Sequence, residues 1–344
     1  MPDAPRTEAE LDDLLSEPRE ATVEALRKVP GDVIVLGAGG KMGPTLARMA
    51  VRAAERVGGT KRRRVIAVSR FSSRAAREEL ERHGVETVRC DLMDRDAVAR
   101  LPEAPNVVYM AGQKFGTREA PSRTWMSNVV VPAICAERYA GARVVAFSTG
   151  NVYPLVPVSS GGAKETDATD PIGEYAASCV GRERIFEHFA TTRATRVAIV
   201  RLNYAIDLRY GVLTDLATKI LAGTPIPLAM GHVNVIWQGD ANRAALELLP
   251  RAAAPPLVVN VTGSETLSVQ RLATTLGRRL GRAPIFQGSE RPDALLSDTA
   301  RMRGLLGDPS MPVAMMLDWV AGWVGAGRPL LGKPTQFEQR DGAF

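Results

Sequence analysis

The chain is predicted to fold as a doubly wound α/β protein with a mostly parallel sheet, a smaller C-terminal lobe and a helical N-terminal extension. Three observations predict this. Short apolar runs alternate with helical segments over residues 32–201, the pattern of successive βαβ units. The first run, 32–36, ends in Gly37-Ala38-Gly39-Gly40-Lys41-Met42-Gly43, and a helical segment follows, so strand, tight turn and helix are read in succession. At 344 residues without an internal repeat, the chain suits one large α/β unit with an appended lobe.

Residues 8–28 read as two short helices broken near Pro18, with Leu11, Leu14, Leu15, Val23 and Leu26 apolar. This extension (1–30) is expected on the outside of the fold. The main domain is set at 31–201. Its strands are read at 32–36, 64–69, 86–90, 106–110, 142–147 and 196–201, short apolar runs of the kind buried on both faces of a parallel sheet. Helices are read at 42–56, 122–139 and 174–191. After Arg201 the pattern loosens. Helices at 213–221, 241–248, 269–280 and 315–324 alternate with Pro- and Gly-rich loops, and one strand, 257–261, returns to the sheet. Residues 202–331 form mainly the lobe, and 332–344 read as a polar tail.

Apolar residues make up 45% of the chain and charged residues 24%, ordinary for a soluble protein with a sizeable core. No apolar run reaches about 18 residues, so a membrane span is not expected. The N-terminus is acidic and lacks the basic flank of a secretory signal; a cytoplasmic location follows as the expectation. Cys90, Cys135 and Cys179 lack metal-ligand spacing and cannot all pair, which points to free thiols in a reducing compartment. His83, His188 and His232 lie far apart, so no metal site and no Ser-His-Asp triad is expected. The net charge is +6, but the basic residues are dispersed. The one run, Lys61-Arg62-Arg63-Arg64, has no interleaved aromatics and reads as a solvated edge, so no nucleic-acid partner is expected.

In the glycine turn, Gly37, Gly40 and Gly43 stand three apart. Glycine there permits the tight turn, the approach of a pyrophosphate and close packing of helix on strand. Gly39, Lys41 and Met42 complete the cradle, and the helix N-terminus offers N–H groups and partial positive charge to the phosphates. A nicotinamide dinucleotide is the expected cofactor. A carboxylate ending the second strand would bond the adenosine ribose and select NAD. Ser69 and Arg70 stand there instead, with Arg74 and Arg77 close behind, and a guanidinium suits a 2′-phosphate. NADP is therefore the expected form, with NAD the alternative.

Over roughly residues 32–310 these features resemble the extended short-chain dehydrogenase/reductase family, in its sugar epimerase/dehydratase branch. Asp91-Leu92 looks like the family's adenine-contacting pair, and Ala111-Gly112 resembles the segment beside the adenosine ribose. Asn128 falls in the helix where the family places an asparagine. Ser148-Thr149-Gly150-Asn151-Val152-Tyr153 is similar to its Ser-Ser/Thr-x-x-Val-Tyr segment. Residues 165–175 resemble the loop into its tyrosine, and Asp240 and Asn260-Val261-Thr262-Gly263 look like later, largely structural landmarks. The resemblance implies Tyr175 as the acid/base, also beside the cofactor, with Thr149 polarising the substrate oxygen and Asn151 assisting. It implies action on a secondary alcohol of a small sugar-like substrate, with room for a homodimer.

The family's chemistry also uses a lysine four residues after the tyrosine, whose charge lowers the tyrosine pKa from near 10. Here Tyr175-Ala176-Ala177-Ser178-Cys179 places a thiol there. Cys179 is expected to pack rather than attack. Arg182, one turn further on, is a partial substitute at most and reads as a surface residue. Gln113 and Lys114 sit where ribose or substrate contacts arise, and Arg209 and Tyr210 are polar candidates for the cleft. Val233 occupies the position of an arginine that nucleotide-sugar enzymes use, which argues against a diphosphate substrate. The competing reading, motivated by the lost lysine, is a degenerate relative that binds dinucleotide as a sensor or scaffold.

Overall fold

The computed structural model describes residues 3–58 and 63–343. Seven strands form the central sheet: β1 (Val33–Leu36), β2 (Val65–Ser69), β3 (Glu86–Arg89), β4 (Asn106–Tyr109), β5 (Arg143–Thr149), β6 (Arg196–Leu202) and β7 (Leu257–Val261). They lie in the order β7-β6-β5-β4-β1-β2-β3, and every pairing is parallel. This is the expected doubly wound, Rossmann-like sheet. The topology reverses between β1 and β4, which opens a crevice at their C-terminal ends.

The two-residue period of a strand separates the cores on the two faces. Val33 and Val35 enter one, shared with α2 (Glu20–Lys28), α3 (Gly43–Val57) and α5 (Gln238–Leu248). Ile34 and Leu36 enter the other, shared with Val131–Arg138 and α4 (Gly173–Thr192). A third core fills the lobe, where Trp237 and Trp319 meet edge to face at 6.0 Å. Among the described residues, no helix is long and apolar enough to cross a membrane.

The extension contributes to two of the cores. α1 (Glu8–Leu15) sends Leu11 and Leu15 into the lobe core, while α2 sends Val23 and Leu26 into a sheet core. Charged pairs hold it: Arg19 to Glu247 at 2.7 Å and Arg209 to Asp12 at 2.7 Å. Of the basic run, Lys61 and Arg62 lie outside the described residues, and Arg64 pairs with Asp32 at 2.7 Å on an exposed edge.

Two expectations need correction. The helix expected at 122–139 widens to a π-turn over Met126–Val130. Pro132 has no N–H to give the carbonyl of Asn128 four residues back, and such turns are common at functional sites. The expected polar tail is docked rather than free: Thr335 and Phe337 are buried, at 2% and 0% exposure. Phe337 joins the lobe core, Asp215 accepts from the N–H and hydroxyl of Thr335 at 2.8 and 2.6 Å, and Arg340 pairs with Asp293 at 2.6 Å. Composition concealed this because single apolar residues anchor an otherwise polar strap. Phe337→Ala is expected to cost about 3–5 kcal/mol in urea denaturation; a loss below about 1 kcal/mol would mean the strap is not docked.

Candidate active site

The glycine turn is shaped by its own packing at three positions. Gly37 has φ +89°, and its N–H donates to Val68 O at 2.9 Å. A Cβ there would lie 2.6 Å from Ala111 N. One at Gly39 would strike Ser69 Oγ, and one at Gly43 would strike Ala38 O, where α3 packs on the turn. At Gly40 a Cβ would meet only Gly37 O, at 3.5 Å, so that face is open to the cleft. α3 also starts without a side-chain cap, leaving its first N–H groups to a ligand. Both observations fit a dinucleotide pyrophosphate. Gly37→Ala is expected to destabilise the chain by more than about 1 kcal/mol, because alanine resists a positive φ. An unchanged thermal transition would contradict this geometry.

Around the turn, Ser69 ends β2 and Arg70 follows it, exposed. Asp91 is exposed and accepts from Met93 N–H at 3.0 Å, while Leu92 is buried. Ala111 and Gly112 leave the end of β4. Lys41 reaches across to the lobe, donating to Ala205 O at 2.9 Å with its ammonium 3.9 Å from the Tyr210 ring centroid. Burial lowers its pKa to about 8.

From the turn the crevice continues into a cavity of about 270 Å³, lined in part by Lys114, Thr149, Asn151, Tyr175, Arg182 and Thr335. β5 runs two residues past its expected end and so delivers Ser148 and Thr149. Tyr175 stands in the first turn of α4 and shares hydrogen bonds with Thr149 and Cys179. Asn151 Nδ2 donates to Thr149 Oγ1 at 2.9 Å. Burial raises the Tyr175 pKa, and Cys179 adds to the rise, while Arg182 and the Thr149 bond oppose it. Cys179 is fully buried with its pKa raised, so it is a neutral thiol near neutral pH. Lys114 donates to Thr335 O in the strap at 3.0 Å, and burial lowers its pKa to about 8.

Arg182 is not on the surface. It is 6% exposed and donates to Phe147 O at 2.9 Å and Asn128 Oδ1 at 2.7 Å. Arg209 does not face the cavity; it anchors the extension through Asp12 and Glu8 and pairs locally with Asp207. Tyr210 does line the cavity. Thr335 was invisible to sequence reasoning, since nothing in a polar C-terminal stretch links it to a cleft built by residues 37–212.

Under the cavity floor runs a buried polar network. Glu183 accepts from Ser148 Oγ at 2.5 Å and from Arg201 Nη2 at 2.7 Å. Arg201 Nη1 also donates to Tyr153 Oη at 2.7 Å, and Tyr153 donates to Asn260 Oδ1 at 2.8 Å. Asn260 N–H in turn reaches Glu165 at 2.8 Å. Asp240, in α5, accepts from the N–H groups of Ser310 and Met311 at 3.0 and 3.1 Å. Ser148 itself lines the cavity, and the other residues hold the frame around it.

The sheet order, with a glycine turn at its switch point, is that of the dinucleotide-binding α/β fold class. A model of the NAD dependent epimerase/dehydratase family matches residues 33–246. The chain belongs to that family and is an enzyme of that type. No curated protein sequence matches it. Solved structures share its fold. A UDP-glucose 4-epimerase from Thermotoga maritima, bound to UDP-glucose, is 18% identical with a TM-score of 0.70, over 86% of this chain and 99% of that one. A dTDP-glucose 4,6-dehydratase from Streptomyces venezuelae, with NAD bound, is 21% identical with a TM-score of 0.71, over 85% and 96%. A UDP-Glc/GlcNAc 4-epimerase from Campylobacter jejuni is 20% identical with a TM-score of 0.70, over 87% and 100%.

Proposed function

We propose that the chain oxidises, or transiently oxidises, a secondary alcohol of a sugar-like substrate, using NADP or NAD. The observation that carries this reading is the hydrogen-bonded Tyr175–Thr149 pair on a cavity continuous with the glycine cradle. The cradle at Gly37, Gly39, Gly40, Lys41, Met42 and Gly43 would hold the cofactor, which supplies the hydride acceptor or donor when bound. Tyr175 Oη takes the substrate hydroxyl proton, or returns it in the reverse direction. Thr149 Oγ1 donates to the same oxygen as charge gathers on it, and Asn151 Nδ2 keeps that hydroxyl oriented. Val233 is fully buried and uncharged, and the strap bounds the cavity at Thr335; both support a sugar-like substrate without a nucleoside diphosphate.

Arg70, exposed at the end of β2, supports NADP through a charged bond to a 2′-phosphate. Asp91 and Leu92 would lie on the adenine side, and Ser69, Ala111 and Gly112 on the ribose side. Isothermal titration with NADPH and NADH tests this directly. NADPH is expected to bind about tenfold more tightly, roughly 1.4 kcal/mol, and Arg70→Glu to reverse the order. Failure to bind either form would end the proposal. A catalytically silent sensor is the second reading, favoured by the burial of Tyr175 beside the neutral Cys179. Tight binding with no Tyr175-dependent turnover over a panel of polyols and sugar acids would select it.

A further inference from the structure

Arg182 is a buried cation without a carboxylate partner among the described residues. Its two Nη donors go to neutral acceptors, Phe147 O and Asn128 Oδ1, and its buried Nε has no acceptor among the described residues. Glu183, next to it in sequence, gives its oxygens to Ser148 and Arg201 instead. The contrast with Arg201, buried and paired at 2.7 Å, is instructive. An ion taken from water without a counter-ion costs several kcal/mol. Such a charge persists where the surrounding structure holds it for a task.

The surroundings do hold it. Any side chain at position 112 would collide with Nη2, so Gly112 passes bare beneath the guanidinium. Asn128 is oriented by Gln113, whose N–H donates to Oδ1 at 2.8 Å and whose carbonyl accepts from Nδ2 at 2.9 Å. The other Asn128 amide contact is Ser178 Oγ at 2.9 Å, one residue before Cys179. Helical side chains lean toward the N-terminus, so Arg182 reaches back over the turn that carries Ser178 and Cys179. The thiol ends at its sulfur, and the guanidinium opens on the cavity shared with Thr149 and Tyr175.

We propose that Arg182 is the fixed cation of this site, supplying from the following helical turn the positive charge that position 179 lacks. This rests on the dinucleotide reading above. Arg182 is a positioning residue: its charge favours the ionised oxygen of Tyr175 and disfavours a positively charged nicotinamide ring in the same cavity. The pull on Tyr175 and Cys179 against the rise from burial has the same sign.

Equilibrium binding of oxidised and reduced dinucleotide to the full chain reads this charge without a substrate. Removing it should lower the ratio of oxidised to reduced dissociation constants about tenfold, roughly 1.4 kcal/mol, in Arg182→Met. Arg182→Lys should keep the ratio, and Cys179→Lys in the Arg182→Met background should restore it. Arg182→Gln retains donors for Phe147 O and Asn128 Oδ1 and replaces Arg182→Met if that variant does not fold. A structural arginine would change both constants by one factor; an unchanged ratio in the Met or Gln variant overturns the proposal. Wild-type protein that binds neither form overturns the dinucleotide reading instead, so the two failures are distinguishable.

Discussion

Tyr175→Phe is expected to reduce turnover on any accepted substrate by about 10²–10⁴-fold, the usual worth of a positioned acid/base. Dinucleotide affinity should change little, because the ring remains and only the hydroxyl is lost. The pH profile carries the sign. Burial and the Cys179 thiol hold the Tyr175 pKa above its ordinary value of about 10, with Arg182 and Thr149 opposing. In the direction that removes a substrate proton, only the phenolate accepts, so the rate rises with pH up to the limit of folding. Turnover in Tyr175→Phe equal to wild type, with the same alkaline limb, would remove Tyr175 from the mechanism.

Glu183→Ala is expected to destabilise the chain by about 3–5 kcal/mol, since it strands the buried Arg201 guanidinium. Both side chains are nearly inaccessible, at 5% and 7% exposure, so water cannot take the lost partner's place. Ser148 Oγ loses its acceptor as well. The double variant Glu183→Ala/Arg201→Met should recover much of the loss in denaturant unfolding, because it removes the unpaired charge rather than the fold. A single variant as stable as wild type would show that the network contributes little.

The glycine turn and the strand ends were legible because their constraints are local. Gly37 needs its positive φ from the turn itself, and a run such as 33–36 states its burial in its own residues. Thr149 and Tyr175 were singled out through the family resemblance, whose segments tie each to one strand end or one helix turn. Arg182 was misjudged for a different reason. Helical periodicity assigns a face, but whether that face meets solvent or a cavity depends on Phe147 and Asn128, which arrive from other elements. The strap was missed likewise, since a lone Phe337 among polar residues carries no period.

By itself the sequence therefore determined the doubly wound sheet and its switch-point turn, both set by short-range spacing and apolar period. Only the tertiary structure decided which charges are buried and what closes the cavity. Desolvation and pairing belong to residues brought together from distant parts of the chain, as Lys114 is with Thr335, and no local pattern encodes that meeting.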